Sequence, residues 1–334
     1  MRSIGDLASL MMSSRRQSTL RQNAEASAQS ATTGLANDKA RHLGGNSTSL
    51  ALLERKIELL KQYQDNTVEA RTMASAVQSS LEKISGGTEE FFNSLALSSQ
   101  IDTQAELQIL SNQASALFED SINTLNISVA GKFIFSGTAV STQPLPNGDD
   151  VWEQLKSDLA GVTNANTASQ VIDNWFDNPV GPYHVDIYKG SMADNVGFPI
   201  DAESKIQLSA RANTPELLNI LKALAKSAFA ADKDNQLSAV DQKDLFSRSR
   251  ISLMQSNTQL TSAQASIGAT EAMIESIFGN NHMMISTAEQ ERLSIIEVDQ
   301  FTSITRFEAL QQQLNVSYRL AARQSQTSLA EYLR

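Results

Sequence analysis

The chain has 334 residues, a formal net charge of −10, 41% hydrophobic residues, 6% aromatic residues and no cysteine. The lack of cysteine excludes disulfides and thiolate metal sites. No basic patch with interleaved aromatic residues occurs, which argues against nucleic acid as a partner.

The sequence also argues against two routes to a membrane. No window approaches about 18 consecutive apolar residues, so no membrane insertion is expected. Gly5, Asp6 and Ser9 interrupt the apolar residues near the N-terminus, so a secretory signal peptide is not expected either.

Residues 1–130 carry the apolar spacing of long amphipathic helices. From residue 53 apolar side chains recur at steps of mostly three and four, as in a coiled-coil stripe. This stripe consists of Leu53, Ile57, Leu60, Tyr63, Ala70, Ala74, Val77, Leu81 and Ile84. We therefore predict one helix over residues 47–85. Gly86-Gly87 either ends it, with Thr88 capping the next helix, or kinks it.

Residues 131–212 differ in composition from both flanking zones. They contain five of the six prolines and both tryptophans. Two segments, 151–160 and 167–177, have the pattern of short helices. Two others, 184–190 and 204–210, alternate apolar and polar residues at period two, as half-buried strands do.

The first residues of this zone predict a short strand and a small core. The segment 132–136 is rich in strand-forming residues, and glycine stands on both sides of it. Phe133 and Phe135 would then share one face. With Trp152 and Trp175, they are our candidates for the core of a small domain.

Residues 213–334 return to a helical pattern. Thr214 followed by Pro215 is a strong helix-start signal, since Thr favours the N-cap and Pro the first helical position. The last apolar stripe consists of Phe301, Ile304, Phe307, Leu310, Leu314, Tyr318 and Ala321.

Together the patterns predict a mainly α protein with a small α+β insert. The long N- and C-terminal helices would pair as an antiparallel bundle or coiled coil, with the β-containing domain at the tip. The predicted parts are an N-terminal axial helix region (1–45), the N-terminal half of a helical rod (46–130), the tip domain (131–212), the C-terminal half of the rod (213–285) and a C-terminal axial helix (286–334).

The two terminal regions are predicted to self-associate. Stripes interrupted by polar and small residues bury little area alone, and isolated helices are marginal in water. Copies of the chain would supply the missing surface, in a ring or a helical array. Our candidates for the assembly contacts are Ile4, Leu7, Met11, Leu35, Phe301, Ile304, Phe307, Leu310, Leu314, Tyr318 and Leu333.

No pattern of catalytic or ligand-binding residues emerges. The three histidines, His42, His184 and His282, have no pair at metal-ligand spacing. Asp232 and Asp234 begin a segment like a calcium loop, but its glycine and closing glutamate are missing. We therefore expect no metal, no cofactor and no enzymatic activity.

Three segments resemble the flagellin superfamily, and within it the hook–filament junction proteins (hook-associated protein 3). GKFIFSG at 131–137 is similar to the Gly-Arg-Tyr-Ile-Phe-Ala-Gly segment of junction proteins. Thr32-Thr33-Gly34 resembles the turn that interrupts the N-terminal helix of flagellins. The tail from Phe307 to Arg334 resembles their C-terminal helix.

The sequence departs from the family pattern in two places, and these differences bear on which subgroup of the family it resembles. After the Thr-Thr-Gly turn, the usual Asp-Asp-Pro or Asp-Asp-Ala motif is replaced by NDKARHLGGNSTSL, so the chain is a divergent relative. Where flagellins carry a Gln-Phe-Asn-Gly type of turn, this chain has Phe-Ile-Phe-Ser-Gly. The second difference favours a junction protein over a filament subunit.

The resemblance implies a structural protein of the bacterial flagellum. Such proteins pass through the flagellar type III export channel without a cleaved signal peptide, and their partners include an export chaperone. Outside the cell they join copies of themselves between hook-associated protein 1 and flagellin.

Two other readings remain open at this point. A flagellin-type filament subunit would share the terminal helices. A cytoplasmic coiled-coil adaptor would explain the stripes but not the insert.

Overall fold

The computed structural model describes residues 4–45, 47–96, 103–193, 197–208 and 210–332. The side chains of residues 4–7, 9, 10 and 324–332 lie outside this description. The chain divides into two compact units. The first combines Met1–Lys61 with His282–Arg334, and the second is Gln62–Asn281.

The described part of the chain is mainly helical, as predicted, and its strands are short. The helices are α1 Ile4–Thr33, α2 Lys39–His42, α3 Thr48–Ala96, α4 Gln104–Leu125, α5 Gly148–Asp158, α6 Ala165–Asp177, α7 Pro215–Ala230, α8 Ala239–Ile296 and α9 Gln300–Tyr332. The strands form two antiparallel pairs, β1 Ser128–Val129 with β2 Lys132–Phe133 and β3 Phe198–Pro199 with β4 Lys205–Ile206.

Two helix starts follow the usual preferences for capping and first-turn residues. Thr103 precedes α4, and its hydroxyl accepts a hydrogen bond from the Glu106 amide at 3.4 Å. Pro215 is the first residue of α7, where its missing N–H costs nothing. The two predicted short helices are α5 and α6.

Helix α3 does not end at Gly86-Gly87, so the prediction that Thr88 caps a new helix is wrong. Thr88 is buried inside α3, and its Oγ1 lies 2.9 Å from the Ile84 carbonyl oxygen and 3.2 Å from Asn257 Oδ1 on α8. A glycine costs a helix about 1 kcal/mol relative to alanine. Buried side chains on both sides of the pair, such as Phe91, offset that cost.

Within the second unit, α3 and α8 run antiparallel. Arg71 of α3 forms an ion pair with Glu275 of α8 at 3.1 Å, whereas Thr88, further along α3, contacts Asn257, which comes earlier in α8. Helix α4 packs against α5 and α7. The largest buried cluster of the described residues lies in this unit.

An aromatic group forms part of this core. Phe118 of α4 packs edge-on against Trp152 and Phe176, with ring centroids 5.7 and 6.5 Å apart. The Trp175 indole donates to Asp158 Oδ2 at 3.0 Å, and the Tyr183 hydroxyl donates to the Ala212 carbonyl at 2.8 Å. Both polar ends are therefore satisfied where their rings are buried.

The segment that begins at Gly131 forms one arm of a hairpin. Ala130 and Gly131 connect β1 to β2 with φ of 50° and 77°, the left-handed values that a tight two-residue turn requires. Strand β2 ends at Phe133, so the two-residue alternation does not continue to Phe135. Phe133 is half-buried, whereas Ile134 and Phe135 are both buried.

The segment 184–190 is not a strand, and this prediction is wrong. Tyr183–Ile187 forms a single π-helical turn. Tyr183 and Ile187, four residues apart, are buried on the same side of the turn, whereas Val185 is exposed. The alternation at 204–210 is real, since Ile206, Leu208 and Ala210 are buried, although β4 covers only Lys205–Ile206.

Candidate functional site

In the described part of the chain, the side chains that could act in catalysis or metal binding do not lie close together. Among them, no group of three His, Cys, Asp or Glu lies close enough to hold a metal ion. Asp232 and Asp234 begin the segment that resembles a calcium loop. Their carboxylates instead contact the Lys156 ammonium, at 3.4 and 3.0 Å. The hydrogen bond from Lys156 lowers the pKa of Asp234 below its ordinary value. Over the same residues, no helix is apolar enough over a sufficient length to cross a bilayer.

The feature with unsatisfied binding capacity is the pair formed by α1 and α9. The helices run antiparallel, since Gln17 Nε2 lies 3.4 Å from the Ser317 carbonyl oxygen while Leu35 bridges to Glu297. Each helix packs a row of buried or half-buried residues against the other helix. Along the sequence, the residues of each row are alternately four and three positions apart. We call these two rows the seam: Ser13, Gln17, Leu20, Ala24, Ser27 and Ala31 on α1, and Ser303, Phe307, Leu310, Leu314, Ser317 and Ala321 on α9.

The seam is incompletely buried because its α1 side, apart from Leu20, consists of small or polar residues. Only Ala24 and Ser27 are buried in the described part of α1. None of the described side chains of α9, residues 300–323, is buried. Phe307, Leu310 and Leu314 therefore keep part of their apolar surface in water. At about 25 cal/mol per Å², covering that surface would stabilise a larger assembly.

The turn that follows α1 and the turn that precedes α9 lie side by side. The Ala36 amide donates to the Ile296 carbonyl at 2.8 Å, and the Val298 amide donates to the Gly34 carbonyl at 2.9 Å. Gly34 has a φ of +71°, which glycine adopts without strain. Asp299 Oδ1 then accepts from the Phe301 amide at 2.8 Å and caps α9. The Thr-Thr-Gly segment thus joins the turn after α1 to the turn before α9.

The predicted assembly residues divide into three groups. Phe307, Leu310 and Leu314 lie on the seam, and Leu35 is half-buried at the turn. Met11, Phe301, Ile304 and Tyr318 are exposed. The side chains of Ile4 and Leu7, and all of Leu333, lie outside the described residues.

Sequence reasoning missed two exposed apolar residues of α9, Val316 and Leu320. Both lie outside the single stripe that we followed. Comparing the flanks of the stripe with the charged residues usual there in a coiled coil would have revealed them.

Residues 252–333 match the family model of the bacterial flagellin C-terminal helical region, which includes most of α8 and all of α9. Over this last quarter the chain is similar to flagellins, which supports the resemblance noted in the sequence.

The solved structures add a shared fold. Twenty-three of their chains match. One is a protein from Vibrio parahaemolyticus assigned as a flagellar hook-associated protein, with a TM-score of 0.52 and 16% sequence identity over 74% of this chain and 95% of that one. At this identity the match shows the fold alone. No curated protein sequence matches this chain.

Proposed function

We propose that the protein is a structural, non-enzymatic component of the bacterial flagellum that assembles with copies of itself through α1 and α9. The observation that carries the proposal is the position of the flagellin match. It ends in α9, where no described side chain of residues 300–323 is buried. A helix that exposes its apolar residues gains free energy mainly from partners.

Within this role we propose the hook–filament junction as the place of action. The GKFIFSG segment and the fold shared with the Vibrio protein support it. The chain would be exported through the flagellar type III apparatus with a chaperone. Outside the cell it would add to hook-associated protein 1 and then receive flagellin.

A direct test adds the purified protein to isolated hooks that end in hook-associated protein 1, and then adds flagellin. Electron microscopy should show filaments only where the protein was added first. A chain truncated after Asp299, which lacks α9, should support none. Ile109→Lys, at an exposed position of α4, should behave like the unaltered protein. Filament growth without the protein would contradict a junction role.

The family match also supports a second candidate, a filament subunit, because the matching model describes flagellin itself. A filament subunit should polymerise alone into long filaments. A junction protein should form at most short oligomers until it meets a hook end.

A further inference from the structure

Helix α9 exposes apolar residues on both sides of the seam. At 100° per residue, Tyr318 and Ile304 lie about 60° and 100° to one side of its midline. Leu320 and Val316 lie about 100° and 140° to the other side. Their exposed fractions are 50% for Tyr318, 44% for Ile304, 60% for Leu320 and 55% for Val316. Coiled-coil helices usually carry charged residues beside the seam, so α9 has more apolar surface than one partner covers.

A groove accompanies the second of these flanks. It has a volume of about 440 Å³ and lies between the Val316–Leu320 side of α9 and two residues of α1. Its lining residues include Arg16, Leu20, Ala309, Gln313, Val316 and Leu320. The groove therefore has mixed walls, in which Leu20, Ala309, Val316 and Leu320 supply the apolar surface, and an arginine at α1.

We propose that Tyr318 of one copy packs into this groove of the next copy, a heterologous contact that repeats around an axis. The proposal rests on the self-assembly proposed above and specifies which faces meet. In sequence, Tyr318 is two residues from Val316 and two residues from Leu320. At 1.5 Å per residue, Tyr318 therefore lies within about 3 Å of these two groove residues along the helix axis. Copies related by rotation about an axis parallel to α9 would bring them together.

The chemistry of the two faces also matches. The flank of α9 that carries Tyr318 also contains Ile304 and Gln311, and none of the three is charged. It therefore brings no cation towards Arg16, and the Tyr318 ring offers the guanidinium a favourable face. A two-fold contact would instead pair one flank with itself and leave the other exposed. A head-to-tail contact covers both.

Disulfide trapping tests the contact directly, because the chain contains no cysteine of its own. We compare Tyr318→Cys, Leu320→Cys and the double variant under conditions in which the unaltered protein assembles. Oxidation of the double variant should give a covalent ladder beyond the dimer, and each single variant should remain monomeric. Efficient dimers of either single variant would show a two-fold contact and overturn the proposal, while self-assembly itself would stand.

A charge exchange provides an independent test. Tyr318→Lys places a cation against Arg16 of the neighbour and should raise the concentration needed for assembly about tenfold or more, which corresponds to about 1.4 kcal/mol per contact. Adding Arg16→Glu in the same chain should restore most of the loss. Ile109→Lys should change nothing, and circular dichroism should show that all variants fold.

The outcomes separate the two proposals. Unchanged assembly of Tyr318→Lys, or no recovery in the double variant, would reject the Tyr318–groove contact. If the unaltered protein neither self-associates by sedimentation nor adds to isolated hook ends, the proposed function fails together with the contact.

Discussion

Helices α4 and α9 carry apolar stripes of similar spacing, yet the two stripes have different surroundings. In α4 the six residues Leu107, Leu110, Ala114, Phe118, Ile122 and Leu125 are all buried. In α9 none of the described residues 300–323 is buried. The difference lies in the partners. Helix α4 meets the apolar helix α7 and the buried Val151, Trp152 and Leu155 of α5, whereas α9 meets mainly small and polar residues of α1.

The two compact units also differ in charge. The second unit, 62–281, holds 26 acidic and 13 basic residues, for a net charge of −13. The first unit holds the remaining 11 acidic and 14 basic residues, for a net charge of +3, and the two values add to the −10 of the chain. Charge repulsion between second units would oppose their stacking at low salt. The first unit, with little net charge and exposed apolar residues, is the better surface for self-association.

The largest predicted effect concerns the core of the second unit. Phe135→Ala should lower the free energy of unfolding by about 3–5 kcal/mol, because a fully buried ring leaves a cavity. The matched variant Phe133→Ala removes a half-buried ring and should cost less than half as much. Urea unfolding followed by tryptophan fluorescence measures both, since Trp152 and Trp175 lie in this unit. Equal losses would show that burial does not distinguish the two positions.

A smaller effect is expected from an ion pair between α6 and α7. Lys226 is buried, and its Nζ lies 2.7 Å from Asp173 Oδ1. Asp173→Asn removes the anion while the ammonium stays buried. The loss should be about 1–2 kcal/mol, less than for a fully buried pair because Asp173 is partly exposed.

Lys222→Gln is the control for this ion pair. This substitution removes the ion pair between Lys222 Nζ and Asp177 Oδ1, which are 2.7 Å apart, and it removes the lysine charge at the same time. It should cost less than Asp173→Asn. The reverse order in urea unfolding would show that the unpaired charge is not what destabilises the helix pair.

Limited proteolysis sharpens the comparison between the units. In the monomer, trypsin should cut at Arg15, Arg21 and Arg319 about tenfold faster than at Arg250, which is also exposed but lies on α8 beside buried Ser249. Cleavage requires local unfolding, and a half-open seam opens more readily than a closed core. In the assembled protein the three fast sites should become protected. Similar rates at all four arginines of the monomer would show that the α1–α9 pair is as stable as the second unit.

The sequence predicted the features that depend on local spacing and end signals. Pro215 begins a helix as expected, and Phe307, Leu310 and Leu314 lie on one side of α9, as their steps of three and four predicted. Resemblance in three segments also led to the family that the C-terminal match supports. The predicted five-part domain division stays a prediction.

Features decided by tertiary contacts could not be predicted in this way. Gly86-Gly87 reads as a helix end, but buried neighbours such as Phe91 keep α3 continuous. The segment 184–190 has strand-like alternation, yet a π-helical turn buries Tyr183 and Ile187 together. The sequence could not show that Phe301, Ile304 and Tyr318 of the predicted stripe would be exposed, because that depends on the partner helix.

The smallest predicted effect is a pH dependence confined to the second unit. Glu119 of α4 lies beside Asp149, and burial, with the neighbouring negative charge as a second cause, raises the pKa of Glu119 above its ordinary 4.5. The folded state therefore binds this proton more tightly than the unfolded chain does. Stability contributed by this carboxyl must fall as pH rises from about 4.5 through the raised pKa, and it must recover on acidification.

Glu119→Gln isolates this contribution, because the amide is similar in shape but carries no charge. The variant should be at least as stable as the unaltered protein at neutral pH, and the difference should shrink as the pH approaches 4.5. Urea unfolding at a series of pH values measures it through tryptophan fluorescence. Glu308→Gln on α9, whose side chain is exposed, provides the control and should leave the pH profile unchanged. A difference that grows on acidification would mean that Glu119 is stabilised as the anion, and the raised pKa would be wrong.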